Sequence, residues 1–177
     1  MDSTSVTGLQ SNCSTGLVGR TIHYLDSVDS TNTLALKLAR EGALEGEVVL
    51  ADHQLKGRGR LPDRNWQSPP GRNIYFSVIL RPPLKPSRSP ALTLMAGVAV
   101  SRVLSEYCPG RVTLKWPNDV QIDGRKTAGI LTEMRMRGDS IDCVIIGIGV
   151  NVLMDRDEFD EAIRDRATSL KEESLRP

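Results

Sequence analysis

The sequence predicts an α+β domain: a mixed, mostly antiparallel sheet with helices packed on one face. Three observations predict it. Asp123-Gly124 is a strong hairpin signal between two apolar runs. Gly138-Asp139 marks a second reversal, so the strands of the second half are neighbours in sequence and pair antiparallel. Helical periodicity led by Leu34 and by Leu92 is interleaved with hairpins, which disfavours a doubly wound parallel sheet.

Taken in order, Thr21 to Leu25 reads as a short strand. Asp29-Ser30-Thr31-Asn32 then starts a helix with Leu34, Ala35, Leu38 and Ala39 on one face, and Gly42 stops it. Glu47 to Gln54 is a strand by its Val48-Val49-Leu50 run. Residues 55 to 72 form a long loop with five basic residues and Trp66, and loops of this length are often functional. Asn73 to Arg81 alternates as a strand. After a proline-rich connector, Ser89-Pro90 opens a helix whose buried face is expected at Leu92, Met95, Ala96, Ala99 and Val103, ending near Tyr107. Strands follow at Val112 to Trp116, Val120 to Ile122, Lys126 to Met136 and Ile141 to Val152. From Asp155 a charged helix is expected, with Phe159, Ala162 and Ile163 as its apolar face.

Residues 1 to 19 are polar and aperiodic and read as a flexible N-terminal tail, leaving residues 20 to 177 as one domain. The chain is 39% hydrophobic and 25% charged, with net charge +1. Such a balance gives no general field for polyanions or membrane surfaces, so any basic function is local. Cys13, Cys108 and Cys143 lie far apart with no CxxC pair, which disfavours structural zinc and fits free thiols. There is no secretory signal, and the run from Val144 to Met154 is too short to span a bilayer, so a cytoplasmic location is expected.

Two short motifs carry the chemistry. Gly57-Arg58-Gly59-Arg60 pairs glycines, which let backbone N–H groups approach an anion, with guanidinium forks that bind carboxylate or phosphate. Lys115-Trp116-Pro117-Asn118-Asp119 ends a strand with a lysine, an amide and a carboxylate. Lys126 precedes Ala128-Gly129-Ile130-Leu131, where small residues let a flat ligand lie on a strand and the lysine suits a developing oxyanion. Gly147 to Asn151 lacks the third glycine of a dinucleotide fingerprint and fits close backbone approach to a ligand instead. Each motif alone has a bland alternative: a solvated basic loop, a surface ion pair at a turn, an exposed edge lysine.

Taken together and in this order, Ser30-Thr31-Asn32, Gln54, the glycine–arginine loop, Trp66, Lys115 to Asp119, Lys126 to Leu131 and Gly147 to Asn151 closely resemble the catalytic domain of biotin protein ligases (biotin–[acetyl-CoA-carboxylase] ligases) over roughly residues 22 to 155. The resemblance implies the class II aminoacyl-tRNA synthetase/biotin ligase fold. It implies activation of biotin by ATP to biotinyl-5′-AMP, then transfer to a lysine of a biotin carboxyl carrier domain. It places Ser30, Thr31, Asn32, Gln54, Arg58, Gly59, Arg60, Lys126, Gly129 and Leu131 around biotin. Arg60, Trp66, Lys115, Asn118, Asp119 and Asn151 fall at the nucleotide. Arg58, Lys115 and Lys126 are the expected catalytic cations and Asp119 the candidate Mg2+ ligand. A homodimer is compatible with it.

The chain departs from the pattern in a spacer before Trp66, Leu61 to Asn65, that is one residue longer than usual, and in Lys56 and Thr127. Two further departures are expected: no winged-helix DNA-binding domain before Thr21, and no small SH3-like C-terminal domain of the kind usual in the family. A lipoate ligase and a binding module for biotin or its adenylate are the alternative readings.

Overall fold

The computed structural model describes residues 8, 15–61 and 63–174; Cys13 and most of the expected tail lie outside them. Gly19, at the tail's expected end, is buried and donates its N–H to Gly46 O at 2.9 Å.

One seven-stranded sheet runs in the order β1 (Ile22–Val28), β2 (Val48–Gln54), β3 (Asn73–Leu80), β7 (Ser140–Asn151), β6 (Arg125–Arg137), β5 (Asp119–Ile122) and β4 (Val112–Lys115). Only β1 and β2 are parallel, connected through α1 (Thr31–Arg40); all other neighbours are antiparallel. The expected mixed, mostly antiparallel class is therefore what forms. The hairpin at Asp123-Gly124 closes with both residues at positive φ, 48° and 78°, the backbone that such a two-residue turn requires.

The helices are not on one face, which corrects the expectation. Along β7, Val144, Ile146 and Val150 pack with Leu92 and Leu104 of α2 (Pro90–Tyr107), whereas Cys143 and Ile145 pack with Ala35 and Ala39 of α1. Successive strand side chains point to opposite faces, so α1 and α2 cover opposite sides. In a central strand apolar on both faces, sequence periodicity does not say which side receives which helix.

The buried face of α2 also differs. Leu92, Gly97 and Leu104 are buried, with Ala96 and Val100 packed alongside, while Met95, Ala99 and Val103 are exposed. The helix is apolar nearly all round, so several stripes fit its sequence. Gly97 selects one: a β-carbon there would stand 3.3 Å from Leu114, so the glycine face is the one that can approach β4.

At the start of α1, Ser30 is extended and its side chain makes no capping bond; the Thr31 N–H is taken instead by Gln54 Oε1 at 2.9 Å. A β2 side chain thus does the work of the expected cap.

The helix expected from Asp155 does not form. A capping box between Asp155 and Glu158 supports one short 3-10 turn, Arg156–Glu158, and the chain then becomes extended at Phe159. Gln67 explains the stop: its amide donates to Glu158 O at 2.7 Å and accepts from Asp160 N at 3.2 Å, replacing helical bonds. Phe159 and Ile163 instead pack with Met154 and Ala167 in a separate cluster, ahead of the one-turn helix α3 (Leu170–Glu173).

Candidate active site

The site lies on the α1 face of β3, β7 and β6. Register sets Gly129 opposite Gly149, and Leu131 opposite Gly147. Those glycines make a floor that other groups approach closely. A β-carbon at Gly147 would stand 2.0 Å from Asn32 Oδ1, and one at Gly149 would stand 2.7 Å from the Trp66 indole. A β-carbon at Gly129 would stand 2.8 Å from the same ring. The indole therefore lies against this floor, under the 55 to 72 loop.

That loop is folded on itself. Gly59 N–H donates to Arg64 O at 2.6 Å and Trp66 N–H to Gly57 O at 2.9 Å, with an antiparallel bridge between Arg58 and Asn65. Gly57 is required there, because a β-carbon would stand 2.4 Å from Trp66 O.

At one end the site is neutral and polar. The Thr31 hydroxyl and N–H both reach Gln54 Oε1, and Gln54 Nε2 donates to Ser68 Oγ at 3.1 Å. Ser77 Oγ donates to Asn32 Oδ1 at 2.7 Å, and Asn32 Nδ2 donates to Leu131 O and to Glu133 Oε2. Ser30, Thr31 and Asn32 are all buried. Asn32 is thus consumed by internal bonds and shapes the wall; Thr31 and Gln54, bonded to each other, border the inner cavity, and Ser68 is bonded to Gln54 without lining it.

The other end is cationic. Lys126 Nζ stands 2.7 Å from Asp119 Oδ1 and 5.1 Å from the Trp66 ring centroid, within cation–π range. The Asp119 contact is an ion pair by distance; its angles are not those of a hydrogen bond, and Oδ1 is otherwise buried without a donor. Trp66 Nε1 is also buried without a partner, a condition that costs about 1–3 kcal/mol and that an acceptor on a ligand would relieve.

Two adjoining cavities meet at Lys126. The inner one, about 480 Å³ of open-mouthed space, is lined by Thr31, Gln54, Gly129, Leu131 and Gly149 among others. The outer one, about 1430 Å³ counted with its open mouth, takes in Lys115, Asp119, Asn151, Phe159 and Arg166. Arg60, Trp66, Asn118 and Lys126 border both. Every residue that the resemblance placed around biotin or at the nucleotide borders one cavity or the other.

Their tasks differ from expectation in places. Arg58 is not a free anion ligand: its guanidinium makes a bidentate pair with Glu133. Asn118 clamps β6, with its side chain on Ile130 O at 3.0 Å. Asn151 is buried and donates to Thr168 O at 3.1 Å. Arg60 and Lys115 are exposed and have no ion-pair partner among the described residues. Among those residues no group of three or more His, Cys, Asp or Glu converges as a metal cage, and Asp119 is committed to Lys126.

Sequence reasoning missed Ser68, Ser77, Glu133 and the C-terminal support of Lys126. Glu133 had a signal, since it continues the period-two row Gly129, Leu131 on β6. The support of Lys126 had none. Its N–H donates to Arg166 O at 2.8 Å, and its carbonyl accepts from Thr168 N–H at 2.9 Å. The buried Glu173 carboxylate then holds that segment through Arg111, Arg125 and the Thr168 hydroxyl. Cys108, beside this knot, and Cys143 are free and buried.

A pocket with one neutral hydrogen-bonding end, a glycine floor and one cationic end, beneath its own loop, has the geometry of a small-molecule site in an α+β domain. A family model described as the biotin/lipoate A/B protein ligase family matches residues 24–151, and the chain belongs to that family. It is 44% identical over 160 residues to the bifunctional ligase/repressor BirA of Bacillus spizizenii, covering 90% of this chain and 49% of the relative. It is 41% identical over 130 residues to the biotin–[acetyl-CoA-carboxylase] ligase of Paracoccus denitrificans, covering 72% and 53%. The solved biotin protein ligase of Aquifex aeolicus in complex with biotin and ATP superimposes with a TM-score of 0.69 at 38% identity, covering 86% of this chain and 60% of that one. The chain spans about half the length of the curated relatives it matches. Among the described residues no helix is long and apolar enough to cross a membrane.

Proposed function

We propose that this chain activates biotin with ATP to form biotinyl-5′-AMP and passes the biotinyl group to a lysine of a carrier domain. The observation that carries the proposal is the position of Lys126 at the seam of the two cavities, between a neutral polar pocket and an outer, cation-bearing one.

The inner pocket suits biotin. Its ureido ring is uncharged and offers both donors and acceptors, which the polar side chains of Thr31 and Gln54 bordering the inner cavity can match. Its bicycle and valeryl arm are apolar and suit the glycine floor with Leu131 and Ile148. The carboxylate then reaches toward Lys126. An oxygen of that carboxylate attacks the α-phosphorus of ATP and pyrophosphate leaves. Lys126, Arg60 and Lys115 offset the negative charge that brings two anions together. In the second step a neutral lysine amine of the carrier attacks the activated carbonyl; AMP leaves, and the amine gives up a proton. Burial beneath the 55 to 72 loop protects the mixed anhydride from water.

Magnesium fits this scheme as a companion of the triphosphate. Such ions are held by substrate phosphates with one or two carboxylates, and Asp119, which borders the outer cavity, would exchange its pairing with Lys126 for such an ion. The family covers both acids; the relatives named for biotin, and the solved relative in complex with biotin and ATP, favour biotin over lipoate. The repressor part of the Bacillus relative's name is not carried over.

Incubation with biotin, Mg-ATP and an isolated carrier domain tests the proposal. Pyrophosphate release and a biotinylated lysine are expected, with lipoate competing poorly. Biotin binding without pyrophosphate release would reduce the chain to a binding module.

A further inference from the structure

We infer that Glu133 is a positioning residue that converts Arg58 from an anion ligand into the latch of the active-site loop. This rests on the ligase reading above for its catalytic consequence, but not for its geometry.

Glu133 spends its whole carboxylate on the site. Oε1 accepts from Arg58 Nη1 at 3.0 Å; Oε2 accepts from Arg58 Nη2 at 2.8 Å and from Asn32 Nδ2 at 2.7 Å. Paired N–H···O bonds of this kind fix orientation as well as distance. One carboxylate thereby ties the start of α1 to the loop. The tie is transmitted, because the arm carrying Arg58 is laddered to the arm carrying Trp66. Gly129, Leu131 and Glu133 share one face of β6, so the strand presents a floor under Trp66, a pocket wall and a latch in sequence.

The electrostatics divide accordingly. Arg58 has its charge offset by Glu133 and turns away from phosphate duty. Arg60, two residues on, has no such partner and borders both cavities. The two arginines of the loop therefore do different work: Arg58 holds the loop shut and Arg60 meets the anion.

The experiment uses Arg58→Ala, Glu133→Ala, Glu133→Gln and the double Ala variant of the full chain. Trypsin cleavage after Arg60 and Arg64 reports loop opening without any turnover, and loss of bound biotinyl-5′-AMP reports retention of the intermediate. Each single Ala variant is expected to speed cleavage and release roughly fivefold, the scale of a well-formed but partly exposed pair. The double variant is expected to be no worse than the worse single one. Glu133→Gln, which keeps the shape and loses the charge, is expected to fall between wild type and Glu133→Ala. Additive effects, or Glu133 variants with wild-type cleavage, would overturn the latch. If wild type makes no adenylate while the cleavage pattern holds, the ligase reading fails and the latch stands.

Discussion

Trp66 and Gly149 are in contact so close that any side chain at 149 would collide with the indole: a β-carbon there would stand 2.7 Å from both Nε1 and Cε2. The ring's place against the sheet depends on a missing side chain, and the loop's closed form depends on the ring.

Gly149→Ala is therefore expected to lift Trp66 from the floor while the sheet stays intact, because the loop yields before the strands. In a Trp116→Phe background, which removes the exposed second tryptophan, the emission of Trp66 should shift to the red, and adenylate formation should drop at least about tenfold. An unshifted spectrum would mean the indole is not seated there.

Lys126→Ala is expected to cut pyrophosphate release by about 100-fold, the scale for removing one preorganised donor at a developing charge. Its backbone bonds to Arg166 and Thr168 survive the substitution, so the melting temperature should change little. Near-normal turnover in this variant would take Lys126 out of the mechanism.

Arg60→Ala should raise the KM for ATP several-fold and weaken biotin less, since Arg60 has no ion-pair partner among the described residues and borders the outer cavity as well as the inner one, whose neutral end is built by Thr31 and Gln54. Parallel titrations with biotin and ATP check it; an equal loss for both ligands would assign Arg60 to the fold instead.

Glu47 supplies a pH dependence remote from the site. Burial works to raise its pKa, but hydrogen bonds from His23 and the Leu44 N–H prevail and hold it below the ordinary glutamate range. A carboxylate lowered on folding contributes stability above its unfolded pKa, and that contribution is lost as pH falls through the folded value. Thermal melts of wild type should therefore show a loss in acid that Glu47→Gln lacks. Parallel melting curves for the two proteins would exclude this pair as the cause.

The parts legible in the sequence were those governed by local rules. Alternation located the strands to within a few residues, and Asp123-Gly124 and Gly42 marked their turn and stop because only certain residues tolerate positive φ. Where a side chain from far away supplied the deciding bond, local rules failed. Gln54 caps α1, and Gln67 ends the helix expected after Asp155.

The residue types of the site were fixed by sequence alone: glycines for close approach, cations for anions, small polar groups for a neutral ligand. Their order along the chain identified the family, since chemistry and spacing are properties of the string itself. Tertiary structure alone decided who is committed and who is free. Arg58 and Arg60 are indistinguishable in the motif, yet Glu133, 75 residues away in sequence, engages only the first. The strand register that sets Glu133 beneath Arg58, and Gly149 beneath Trp66, comes from long-range pairing, which no local preference encodes.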